Sequence, residues 1–387
     1  MPKLWYNSIE ILIISFLCYN WCGDDMITPE KMSELERNKV IEIYEKLNRD
    51  LTSMIIKKLQ SKGDISSYTQ AQIRQLAKQG GKEIFYATLD RFKGISREQR
   101  QALKEIFEEV QNEELKGYKD TYKARGKALI VDKSITGITS ALYTKTYKEL
   151  KNLTKTVAFS NQKTYTKALD ELFMKVATGS QDYTSAMKST INDLTNKGVE
   201  LTSKGRNYKL ENTVKMNLMT SLTQTANDIS KEVGGQIGAN CVVIGHSPYC
   251  RPSHRVIDGV KMSLDKFKQY EYLTEEPNCY HIVNYDWLEE FEGKKNKVAN
   301  NGHLTNAEYE KKYNTRQKQN YYARQVRDKK QEVASINLTD KRTSATNEEL
   351  AKAKKELRNA QTKYRTFCKE NGIEVDYSLT WKASYNK

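Results

Sequence analysis

Hydrophobic positions in the first third of the chain recur at three-and-four spacing. In residues 28–62 they are Val40, Ile43, Leu47, Leu51, Met54, Ile55 and Leu59, one face of an amphipathic helix. Thr28 is placed to cap that helix, Pro29 suits its first position, Glu30 favours its positive end and Gly63 stops it. Residues 65–94 read as one or two further helices punctuated by Gly80-Gly81 and Gly94. Ser96-Arg-Glu-Gln99 has capping-box spacing and opens another, striped by Leu103, Ile106, Phe107 and Val110. From 115 to 235 the pattern stays helical and becomes more basic and threonine-rich. It predicts helices at 140–158, 162–177, 181–197 and 210–235. The last carries Val214, Leu218, Leu222, Ala226 and Ile229 on one face and ends at Gly234-Gly235.

The period then changes. Cys241-Val-Val-Ile-Gly245 is a short apolar β-branched run, the signal of a buried strand. Val260 to Leu264 offers a second strand, with Asp258-Gly259 as a hairpin turn, and Ile282-Val283 a third. Helical spacing resumes over 305–336, with Tyr309, Tyr313, Tyr321, Tyr322, Val326, Val333 and Ile336. Thr346-Asn-Glu-Glu349 caps a last helix striped by Leu350, Ala353, Leu357, Ala360, Tyr364 and Phe367, the seam of a helical hairpin or short coiled coil. The expected fold is mainly α: long helical arms flanking a small α+β module, with a helical hairpin at the C-terminus. Five segments follow: an apolar extension 1–25, an N-terminal helical arm 26–112, a basic helical domain 113–237, the Cys/His-containing module 238–300 and the hairpin 301–387.

Composition sharpens this picture. Only five prolines in 387 residues favour long uninterrupted helices. The net charge of +15 suggests a polyanionic neighbour. The surplus is spread along helices, with 19 basic against 10 acidic residues in 114–215 and 19 against 11 in 301–387. Spread charge of this kind suits proximity to DNA rather than sequence reading. The apolar run near the N-terminus, Ile9 to Cys22, is too short to span a membrane, so no stable membrane insertion is expected. We read translation as starting at Met26, with a signal peptide as the second reading of 1–25. Six cysteines form no dense framework, and nothing calls for an oxidising compartment. P-loop and dinucleotide-binding fingerprints are missing from the sequence.

Residues 246–281 concentrate the scarce residue types. Three of the four histidines lie here, as do all three prolines beyond residue 29. Three readings stand. Cys250-x3-His254 and Cys279-x-His281 supply four zinc-type ligands, and a structural zinc would help a module too small for a large core. A catalytic Cys/His pair is the second, although no oxyanion hole or nucleophile elbow accompanies it. A Cys250–Cys279 disulfide is the third. Against all of them stands the plain reading of hydrogen-bonded histidines beside buried thiols.

The same residues, with others, resemble a known family. Met26-Ile-Thr-Pro-Glu-Lys-Met, Val214-Lys-Met-Asn-Leu-Met-Thr-Ser-Leu-Thr-Gln-Thr-Ala-Asn227 and Gly238-Ala-Asn-Cys-Val-Val-Ile stand in order along the chain. Arg251-Pro-Ser-His254, Gly259-Val-Lys-Met-Ser263, Asn278-Cys-Tyr-His281 and Tyr364-Arg-Thr-Phe-Cys368-Lys-Glu-Asn371-Gly372 complete the set. In this order they resemble phage minor capsid proteins of the second type, from phages of Gram-positive bacteria. The module is also similar to the Mu F-type head-morphogenesis domain. The signature residues on this resemblance are Arg251, Pro252, Ser253, His254, Gly259, Asn278, Cys279 and His281. Cys250 stands where many members carry a small residue, so a four-ligand zinc site is not implied by the family.

The resemblance implies a non-enzymatic virion head protein made in the host cytoplasm. It would act at or near the portal in head assembly or DNA ejection, with the portal protein, the major capsid protein and packaged double-stranded DNA as partners. Two other classes stay in view: a Cys/His-dependent hydrolase or toxin-like effector of phage heads, and a packaging protein that binds nucleic acid non-specifically.

Overall fold

The computed structural model describes residues 27–380, apart from 36–37, 125, 127, 132, 204–205, 248–249, 293–297, 301–304 and 339–343. The apolar extension 1–25 lies outside the described residues. The chain is mainly α, with a small α+β portion. Helices α1 (Pro29–Glu34), α2 (Lys39–Gln60), α3 (Gln70–Ala124), α4 (Lys133–Ala177) and α5 (Tyr183–Lys197) come first. A hairpin of β1 (Glu200–Ser203) and β2 (Arg206–Lys209), which the sequence reading missed, leads into α6 (Leu210–Ile237). The module follows: β3 (Cys241–Ile244), β4 (Val260–Ser263), α7 (Leu264–Phe267), α8 (Glu271–Thr274), β5 (Val283–Asp286) and β6 (Val298–Asn300). Helices α9 (Asn306–Leu338), α10 (Ser344–Glu370) and α11 (Tyr377–Thr380) close the described chain.

Several predicted boundaries shift. The helix read over 28–62 divides, because Asn38 caps a new start by accepting from the Ile41 N–H (3.1 Å). Thr28 does cap α1, accepting from the Lys31 N–H (3.1 Å). Residues 70–124 form one helix rather than two or three. Its capping box is Thr69 with Gln72, bonded reciprocally at 2.8 and 3.4 Å, not Ser96, whose hydroxyl bonds back to Lys93 O within the helix. Gly80 does not break the helix; it makes room. A Cβ there would lie 2.4 Å from the Tyr165 hydroxyl, so glycine lets α3 and α4 close on each other.

The predicted pair 140–158 and 162–177 is likewise one helix, α4. Gly234 does not end α6, which runs on to Ile237. It also serves close approach, since a Cβ there would lie 2.3 Å from the Tyr285 Cβ. Helix α10 begins at Ser344, two residues before the Thr346 cap expected for it.

Contacts divide the chain into two compact units, each drawn from three stretches. One comprises the residues up to Glu36, Leu103–Thr146 and Asn217–Tyr309; the other Arg37–Ala102, Tyr147–Met216 and the residues from Glu310. The second unit has a core of Ile55, Leu59, Ile73, Ile84, Tyr165, Leu169, Leu172 and Ile191, all near fully buried. It also holds the C-terminal hairpin. There Ala323 and Val326 of α9 pack on Ala360, Tyr364 and Cys368 of α10, and Gln319 reaches Tyr364 (3.4 Å). Lys329 of α9 pairs with Glu356, so positions ascend on one helix as they descend on the other, the register of an antiparallel pair.

The first unit carries the module. Its four-stranded sheet has the order β5-β3-β4-β6, antiparallel throughout, with Cys241 opposite both Ser263 and Asp286. Val242, Ile244, Ile257, Val260, Met262, Phe267, Leu273, Val283 and Tyr285 make its own small core. The β3–β4 connection is a loop spanning residues 245–259, so Asp258-Gly259 is not a two-residue hairpin turn. The Asp258 side chain turns inward instead and is 2% exposed.

Candidate functional site

The loop 245–259 and the segment 275–282 that enters β5 meet beside the sheet. Pro252 opens a 3₁₀ turn, Pro252–His254, which delivers a buried His254. On the other side, Cys279 follows Asn278, whose φ of +60° places it in the left-handed region. Asparagine tolerates that region better than other side chains with a Cβ. The turn is closed by the Cys279 N–H donating to Glu276 O (3.0 Å), and it aims Cys279 inward. His281 lies two residues on, held from below by α6. There Asn227 donates to His281 O (3.3 Å) and accepts from the Val283 N–H (2.9 Å), while Ser230 accepts from the Tyr285 N–H (2.9 Å). Two polar side chains one helical turn apart thus satisfy β5 on its outer edge.

Three of the candidate ligands converge. Cys279 Sγ is 3.3 Å from His281 Nδ1 and 3.6 Å from His254 Nδ1. The far nitrogen of each ring meets a carboxylate: His281 Nε2 donates to Asp258 Oδ1 (2.9 Å) and His254 Nε2 to Glu276 Oε2 (3.1 Å). Cys250 is buried next to His281, and one donor atom each from Cys250, Asp258 and His281 lie within 4.8 Å of one another. The same holds for His254, Cys279 and His281. Cys250 and Cys279 are both free thiols, so the disulfide reading fails. Cys241 is separate; its thiol donates to Asp286 O across the sheet.

Asp258 is the hub. Its carboxylate accepts from His281, from His246 Nδ1 (2.6 Å), from the Ser247 N–H (2.6 Å) and from the Tyr309 hydroxyl (2.5 Å). Burial alone would raise its pKa; these donors outweigh burial and hold it well below the usual carboxylate range. Burial likewise opposes ionisation of Cys279, yet the two imidazoles bring its pKa down to about 6. His254 is raised, chiefly by its bond to Cys279. Arg251 braces Glu276 (2.5 Å) and also donates to Pro277 O. Gly259 holds a φ of +64° beneath His246, and Ser253 is exposed.

Sequence reasoning did not find Asp258 as a buried carboxylate, nor Glu276, Tyr309, Asn227 or Ser230 as supports. Asp258 is one of five acidic residues between the two Cys/His pairs, and its place beside Gly259 read only as a turn.

The cluster is closed to solvent. Cys279 is 3% exposed, and His254 and His281 1% each. A basic, mainly helical chain whose Cys/His cluster is sealed beneath loops has the build of a structural, assembly-type protein. Residues 27–369 match the family of phage minor capsid protein 2, and the chain belongs to that family. Membership makes it a structural capsid component of a bacteriophage virion. Neither a curated protein nor a solved structure matches the chain. Among the described residues no helix is long and apolar enough to cross a membrane.

Proposed function

We propose that this minor capsid protein works at or near the portal in head assembly, contacting the portal protein, the major capsid protein and packaged DNA, and that it performs no catalytic step. The observation that carries the non-catalytic reading is the burial of the cluster. A nucleophilic thiol must meet its substrate, and Cys279 and both imidazoles are all but fully buried. The spread of basic residues over 114–215 and 301–387 supports a place beside DNA without sequence reading. Lysine-directed cross-linking of purified heads, read by mass spectrometry, tests the placement. Links from α9 and α10 lysines to the portal protein are expected. Links confined to tail proteins, or absence of the chain from heads, overturn the proposal.

The net charge of +15 favours one second reading, a packaging protein that holds DNA directly. That reading requires affinity that falls steeply as salt rises, with a slope set by the number of phosphates neutralised.

A further inference from the structure

We propose that His254, Cys279 and His281 bind a zinc ion, with Cys250 as the fourth ligand, and that the ion pins the two loops of the module together. The proposal is independent of where the protein sits in the virion. It begins with a count of lone pairs. Both Nε2 atoms face carboxylates, which accept only, so both carry the ring proton. Both Nδ1 atoms therefore turn towards the same sulfur. While both rings are neutral, one thiol proton serves only one ring nitrogen; the other contact needs a second proton on a ring or a cation at the centre. A cation between the three atoms takes a lone pair from each.

The spacing fits. Tetrahedral zinc, with bonds of about 2.3 Å to sulfur and about 2.0–2.1 Å to nitrogen, sets its ligand atoms about 3.5 Å apart. The sulfur–nitrogen separations here are 3.3 and 3.6 Å. Sulfur with imidazole selects zinc over the hard cations magnesium and calcium. The carboxylates behind the two rings are the supports that zinc-bound histidines use to fix tautomer and orientation. Asp258 is no ligand in this scheme, because four donors already occupy its oxygens. Cys250 is the nearest further thiol: its donor atom groups within 4.8 Å with Asp258 and His281 and not with the His254–Cys279–His281 set, so the fourth bond needs that side chain to turn onto the ion. The ion would join the Pro252–His254 turn to the strand entry at Cys279, where the sheet's own apolar core is small.

The test is the metal content of the full chain, purified without chelator or polyhistidine tag. One zinc per chain is expected, lost in Cys279→Ser. Cobalt in its place should give the visible d–d bands and sulfur charge transfer of a tetrahedral thiolate site. Asp258→Asn keeps the ligands and should lower zinc affinity about 10–100-fold in competition with a chromophoric chelator. Cys250→Ser should also weaken binding, and wild-type affinity there removes Cys250 from the set. A folded chain that takes up no zinc overturns the proposal, as does wild-type affinity in Cys279→Ser. Should Cys279→Ser fail to fold, wild-type zinc affinity in Asp258→Asn overturns it instead.

Discussion

At the scale of single residues, the module depends on side chains that bridge segments far apart in sequence. Asn227 is one. Its removal strands the Val283 N–H, so Asn227→Ala should cost about 1–3 kcal/mol in denaturant unfolding. Asn278 is another. At φ +60° a β-branched residue is strained, so Asn278→Val should cost about 1–3 kcal/mol, while Asn278→Gly should stay near wild type. Outside the module, Glu114 is fully buried, and burial raises its carboxyl to about 8, with the Ile27 backbone offsetting only part of that. The folded pKa lies above the unfolded one. Its favourable protonation is therefore complete below about 4.5 and is lost as pH rises through about 8. Glu114→Gln should remove that slope, raising Tm more at pH 8 than at pH 5; an equal shift at both would contradict it. Part of the site was legible at this scale. Scarce Cys and His types gather in 246–281, and the structure brings three of them to one point. Asp258 read as a turn residue because Asp-Gly is a turn signal, and nothing local marks a carboxylate that four distant groups will bury. Ser230 was invisible, and Asn227 closed a family motif without showing its role, because a polar residue on a helix looks solvated until a strand edge is laid against it.

Among the elements, hydrophobic spacing located the helices well and their ends poorly. Amphipathic stripes depend only on local period, so α2, α6 and the α9–α10 pair lie where the pattern put them. Glycines misled, because the same residue breaks a helix or admits a neighbour, and only the neighbour decides. Gly80 and Gly94 both sit inside α3, and the structure separates them. A Cβ at Gly80 would collide with the Tyr165 ring, whereas nothing lies within 4 Å of one at Gly94. Gly80→Ala should therefore destabilise by about 1–3 kcal/mol through overpacking. Gly94→Ala should stabilise by about 0.5–1 kcal/mol through helix propensity. Thermal melts of the pair check this, and equal shifts would refute the close-approach reading. The β1–β2 hairpin was missed because Glu200–Ser203 and Arg206–Lys209 show no apolar alternation long enough to outweigh the helical pattern around them.

For the whole molecule, the ordered motifs carried the functional class, and family membership agrees with them. What chain-wide patterns could not convey is that the chemistry-bearing residues are sealed. The unit containing the module is assembled from three separate stretches, so its interior cannot be read from any one of them. On the proposed function the Cys/His cluster is a structural knot of a capsid protein and not an active site. Cys279→Ser and His281→Ala should accordingly lower Tm far more than Lys354→Ala on the exposed face of α10. The most direct test is the alkylation rate of Cys279 in the native full chain at neutral pH, followed by mass spectrometry. Cys279 should stay unmodified while the chain is folded and react only on unfolding or after a strong chelator is added. Rapid labelling of Cys279 in the untreated native protein would mean an open, reactive thiolate and would contradict it.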